Sequence, residues 1–117
     1  MSGESAGDYK RVGLAFAKAL ATRDYDGAYA LTSSAYRDST SVKALQAAFE
    51  SIVPVDWQTI GPIEVGETMD DWPGREPSDV GWAYLSVGGD VYSEAVTVVV
   101  TLENGELKVR TVEFGRP

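Results

Sequence analysis

The hydrophobic period changes once along this chain, near Pro54, and that switch constrains the fold more than any other feature. Before it, apolar residues recur at the three- and four-residue spacing of an amphipathic helix. After it they alternate, which is the spacing of a half-buried strand. Helices therefore come first and strands second. A chain that segregates its elements this way packs its helices on one face of an antiparallel sheet, an α+β arrangement. The 117 residues suffice for one such domain with a core of its own.

Residues 1–7 (MSGESAG) are small and polar and read as a frayed terminus, leaving 8–117 as a single domain. They carry no basic n-region and no apolar h-region, so no signal peptide is expected and the cytoplasm is the expected location. No stretch reaches the ~18–20 apolar residues of a membrane span.

Asp8 is placed to cap a first helix over 9–22, whose apolar stripe is Tyr9, Val12, Ala15, Phe16, Ala19 and Leu20. Its other face carries Lys10, Arg11, Leu14 and Lys18. That face reads as solvated, or else as a contact with a partner subunit or with an acidic loop further along the chain. Asp24 caps a short second helix holding Tyr25, Ala28, Tyr29 and Leu31. The polar run 33–39 breaks the pattern. Thr40 or Ser41 then caps a third helix with the stripe Val42, Leu45, Ala48, Phe49, Ile52 and Val53, stopped by Pro54.

Beyond Pro54, the stretch 56–66 predicts two short extended pieces around Gly61-Pro62, followed by a loop over 67–79. Residues 80–87 form a strand with Trp82 and Tyr84 on one face and Ala83 and Leu85 on the other. Gly88-Gly89-Asp90 turns the chain into the longest strand, 91–102. Its even positions Tyr92, Glu94, Val96, Val98, Val100 and Leu102 read as core-facing, with Ser93, Thr97 and Thr101 opposite. Asn104-Gly105 is a strong hairpin signal, because both residues tolerate positive φ. In the last strand, 107–114, the inward set shifts from Leu107 and Val109 to Val112 and Phe114, and this parity change places a bulge near Arg110. The expected sheet has four strands or more and curls around the helices, leaving a conical cavity of the kind that holds small ligands.

The absence of cysteine excludes disulfides, thiolate nucleophiles and zinc–thiolate sites. The absence of histidine removes the commonest general base and metal ligand, so a Ser-His-Asp or Cys-His enzyme is impossible. A net charge of −8 repels nucleic acid and anionic membranes and suits solubility or a basic partner. No phosphate loop or dinucleotide fingerprint is present, and no cofactor is expected. Glu67, Asp70, Asp71, Glu76 and Asp79 cluster without the spacing of a calcium loop, so no metal is expected either. They read as a solvated loop, or as a lid with Trp72 as its plug.

Glu94 is the candidate for chemistry. In phase with Val96 and Val98, its carboxylate faces the core side, where desolvation would raise its pKa toward that of a general base; a rim position or a pair with arginine is the structural alternative. Arg110 is expected either to pair with Glu94 across the hairpin or to hold an anionic ligand by its fork of donors. Tyr29, Trp57, Trp82, Tyr84 and Tyr92 are candidate walls of a pocket for a small apolar ligand, although most aromatics of such a chain are simply core.

The segment 23–31 (RDYDGAYAL) and the helix start 40–45 (TSVKAL), followed by a four-strand meander, resemble the nuclear transport factor 2-like superfamily, the cystatin-like α+β cone. The resemblance spans Asp8 to Phe114 through packing patterns; none of its motifs is a catalytic signature. It implies a curved sheet with helices in its concave side and a homodimer formed through the outer sheet face. That superfamily holds isomerases and cyclase-like enzymes as well as adaptors, immunity proteins and domains without known activity, and fold does not choose among them. The expected function is a non-catalytic homodimer that binds a small ligand or a protein. One alternative is an isomerase- or cyclase-like enzyme with a carboxylate base. The other is an immunity-type or similar interaction module whose acidic surface meets a basic protein.

Overall fold

The first apolar stripe forms α1 (Tyr9–Ala21) in the computed structural model, which describes residues 9–53, 60–89 and 93–115. The terminus 1–7, the Asp8 cap, Pro54, Trp57 and Tyr92 lie outside the described residues. The remaining elements are α2 (Tyr25–Ala30), α3 (Ser34–Ser39), α4 (Val42–Ile52), β1 (Ile60–Met69), β2 (Asp79–Gly89), β3 (Ser93–Glu103) and β4 (Glu106–Phe114). The four strands pair antiparallel in chain order, β1-β2-β3-β4, and the helices pack on the sheet. Register shifts interrupt all three strand pairs, and each bulge bends its strand, so the sheet curls. The fold is α+β, as the change of period predicts. No helix among the described residues is long and apolar enough to cross a membrane.

Local signals place three helix boundaries. Asp24 accepts a hydrogen bond from the Gly27 N–H at 3.0 Å and starts α2, and Ser41 accepts from the Ala44 N–H at 3.1 Å and starts α4. α1 ends in a Schellman turn: the Asp24 N–H donates to the Ala19 carbonyl at 2.8 Å, with Arg23 at φ 65° where glycine is usual. The Arg23 guanidinium offsets that backbone cost. It donates to the Val53 carbonyl at 3.2 Å and to the Tyr25 hydroxyl at 3.1 Å, and it lies 5.4 Å from the centre of the Phe49 ring.

The buried face of α1 is rotated from the expected stripe. Ala15 is exposed, while Gly13 and Ala17 are buried beside Tyr9, Phe16 and Leu20. Close approach to the sheet is the reason: a β-carbon at Gly13 would sit 3.3 Å from Val98 Cγ2, so the smallest residues face the strands. Leu14 packs half-buried against the same core. At Gly81 the Tyr9 ring lies flat on the strand, where a β-carbon would stand 2.5 Å from its ring atoms.

Two stretches differ from expectation in kind. The polar run 33–39 contains helix α3, capped by Ser33, which accepts from the Tyr36 N–H at 3.2 Å. The Glu103 carboxylate also accepts from the Ser34 N–H at 3.0 Å, and these hydrogen bonds hold the Glu103 carboxyl below its ordinary pKa. The second stretch is β1, one strand rather than two pieces and a loop. It bulges between Ile60 and Ile63 and again between Val65 and Glu67, leaving only 70–78 as loop.

The core lies between α1, α4 and the sheet. Ala83, Leu85, Val87, Val96, Val98, Val100 and Val109 are fully buried on the helix side, against Phe16, Leu20, Leu45 and Phe49. Leu102, expected in the same row, is 51% exposed next to the end of β3. The bulge expected near Arg110 is present: Val99 pairs with Thr111 and Val100 with Val109, leaving Arg110 as the extra residue. The 31–33 segment braces this edge, with the Val109 N–H donating to the Leu31 carbonyl and the Ser33 N–H to the Val109 carbonyl, both at 2.8 Å.

Candidate functional site

The side of the sheet turned away from α1 carries a row of side chains that the strand registers line up. Glu67 on β1 pairs with Tyr84 on β2, Tyr84 with Thr97 on β3, and Thr97 with Glu113 on β4. Strict alternation would not give this row. Val65 faces the helices, so Glu67 would too, but the extra residue Gly66 turns it to the outer face. Arg110 does the same for Glu113 on the opposite edge. A β-carbon at Gly66 would lie 3.1 Å from the Tyr84 ring, so the bulge also needs glycine for closeness.

Along this row runs a groove of about 500 Å3 lined by Glu67, Trp82, Tyr84, Thr97, Glu113 and Phe114. That volume falls within the range typical of small-molecule sites. Tyr84 and Trp82 are half-buried and form an apolar floor. Glu67 and Glu113 are exposed at its two ends, and neither forms an ion pair with another described residue. A second hollow of about 240 Å3 continues from it under the loop, between Trp72, Trp82, Val99 and Arg110.

A clasp fixes the loop 70–78 to this face. Asp79, whose side chain is 0% exposed, accepts from Arg110 Nε at 2.7 Å and from Arg110 Nη2 at 2.6 Å, across β3. It also accepts from the Glu76 N–H at 2.8 Å, and Glu76 Oε2 stands 3.4 Å from Arg110 Nη1. Burial alone would push the Asp79 carboxyl up; the Arg110 fork and the Glu76 N–H outweigh it and hold the carboxyl below its ordinary value. The hydrogen bonds from Arg110 to Asp79 raise the arginine in turn. Thr101 Oγ1 donates to Ser78 Oγ at 2.9 Å, and the Leu102 N–H donates to the Ser78 carbonyl at 2.9 Å. Arg75 stacks over Trp72 at 5.7 Å and donates to the Asp79 carbonyl at 2.9 Å, which seats Trp72 beside the groove.

The sequence candidates thus divide. Trp82 and Tyr84 line the outer groove, and Trp72 lies at its extension rather than over an opening between helices and sheet. Arg110 pairs with Asp79, not with Glu94: the bulge aims it outward, whereas Glu94 sits in register with Val87 on the helix side. Glu94 is half-buried there. Tyr29 is structural, its hydroxyl donating to the Thr40 carbonyl at 2.8 Å and its ring edge-on to Tyr36. α1 packs against the strands on one side of the sheet, and the hollow bordered by Trp72, Pro73 and Gly74 lies on the other.

In the sequence Glu67 and Asp79 read only as members of an acidic cluster; neither the row that joins Glu67 to Glu113 nor the Asp79–Arg110 pair was expected. The parity change at Arg110 already implies that Glu113 points outward, and Gly66 is the one local hint for Glu67. Asp79 carries no local signal, because its partner is 31 residues away on a non-adjacent strand. Among the described residues no group of three or more carboxylates is close enough to hold a metal ion. Comparisons with protein families, with curated proteins and with solved structures each give no match to this chain.

Proposed function

We propose that this chain is a non-catalytic binding domain of the α+β cone type, and that it binds through the outer face of its sheet. The observation that carries this reading is the groove along the row Glu67–Tyr84–Thr97–Glu113, open on the face opposite the buried Leu85, Val96, Val98 and Val100. The isomerase- or cyclase-like alternative draws less support. It needs a carboxylate and an opposing donor around a substrate, yet Arg110, the donor expected opposite Glu94, is committed to Asp79 on the other face of the sheet.

A second copy is the competing occupant of the same face, because Thr97 and Thr111 are β-branched, partly exposed and suit a symmetric contact. Such a dimer brings the Glu67 and Glu113 carboxylates of two chains, each of net charge −8, toward one another. It therefore tightens as salt screens the repulsion. Amide chemical shifts of the labelled protein, followed against small cationic, neutral and anionic compounds and against its own concentration, test the proposal. Shifts centred on Tyr84, Thr97 and Glu113 support it. Shifts confined to Glu94 and the helix-facing residues refute it.

A further inference from the structure

We infer that the occupant of the outer groove is a linear aliphatic polyamine, a methylene chain with a cationic amine at each end. This rests on the reading of the outer face as the binding surface and names its ligand class. Two carboxylates stand at the ends of one cross-strand row, with Tyr84 and Thr97 between them and Trp82 alongside. Three strand spacings of ~4.8 Å separate the ends, so the backbone positions of Glu67 and Glu113 lie about 14 Å apart on a flat sheet, and closer where it curls. That separation excludes a shared point charge such as a metal ion, and it suits an extended ligand with charge at both ends.

The floor agrees with the ends. An aromatic surface accepts methylenes by apolar contact and ammonium groups through the ring face. An anion is disfavoured, because the described residues that line the groove include the carboxylates of Glu67 and Glu113 and no cation. A neutral apolar ligand would leave both carboxylates uncompensated. Two independent bulges, at Gly66 and at Arg110, turn the two acidic residues onto one face and into one row, so the pairing does not follow from ordinary strand alternation. The chain's net charge of −8 adds long-range attraction for a polycation.

Titration of the full chain with spermidine at low ionic strength, read by tryptophan fluorescence and by amide shifts, tests the inference. The expected result is saturable one-to-one binding that perturbs Tyr84, Thr97 and Glu113. Glu67→Gln and Glu113→Gln should each weaken it by about three-fold, the effect of one exposed charge pair. Their effects should multiply in the double variant, and Asp38→Asn, which removes one charge elsewhere, should leave binding unchanged. Butylamine should bind at least several-fold more weakly than spermidine. Equal weakening by all three single substitutions, or several weak equivalents bound, marks a diffuse counterion effect and overturns the inference. If spermidine fails but a lysine-containing peptide or a neutral compound shifts the same row, the polyamine inference falls and the binding face stands. If every probe shifts only helix-side residues, both fall.

Discussion

Replacing Arg110 by alanine removes the two shortest charge-assisted hydrogen bonds on the outer face and leaves Asp79, with a side chain 0% exposed, without its counter-charge. Stranding one member of a buried pair costs about 3–5 kcal/mol. Here the low end applies, because Arg110 is itself 19% exposed and covers Asp79, so its loss admits water, while the Glu76 N–H still donates to the carboxylate. The expected loss is therefore about 3 kcal/mol. At roughly 4 °C per kcal/mol for a chain of this size, Tm should fall by about 12 °C. Urea denaturation and thermal melts followed by circular dichroism provide the measurement, with Asp79→Ala and the double variant completing a cycle. The double variant should cost less than the two singles together, with a coupling of about 2 kcal/mol. A loss below about 0.5 kcal/mol for Arg110→Ala, or a coupling near zero, would refute the view that this clasp holds the loop to the sheet.

The same clasp sets a pH dependence. Because the folded Asp79 pKa lies below its unfolded value, its contribution is fully present above about pH 4 and is lost as pH falls through the folded value. The stability gap between wild type and Arg110→Ala should thus be widest near neutral pH and narrow in melts taken at progressively lower pH, because burial without Arg110 raises the Asp79 carboxyl of the variant. Gly81→Ala should cost about 1–3 kcal/mol in urea denaturation, because its β-carbon meets the Tyr9 ring at 2.5 Å and must displace it. Arg23→Ala should be less stable than Arg23→Gly by about 1 kcal/mol; both lose the guanidinium contacts, and only glycine tolerates φ 65° freely. Equal stabilities for that pair would show that the turn relaxes. Glu103→Ala should speed amide hydrogen exchange within α3 while leaving α4 unchanged, because Glu103 accepts from the Ser34 N–H at the start of α3.

Much of the fold was legible because short-range chemistry sets it. The switch of period at Pro54 separates helices from strands, Asp24 and Ser41 cap their own helices within three residues, and Asn104 and Gly105 adopt the positive φ values a tight hairpin needs, 53° and 81°. The bulge at Arg110 showed as a break in alternation along one strand. What sequence left open depends on partners distant in the chain. The short α3, with no apolar stripe of its own, gains a long-range brace from Glu103, 69 positions after Ser34, which supplements the Ser33 cap. β1 runs on through Gly66 because β2 supplies its ladder, shifted by one residue. Arg110 finds Asp79 over an intervening strand, a choice that local spacing cannot encode. The candidate site follows the same division. Tyr84 and Trp82 were visible as aromatics on one strand face. Their alignment with Glu67 and Glu113 exists only once four strands are in register, because a one-residue bulge decides which side of the sheet each carboxylate faces.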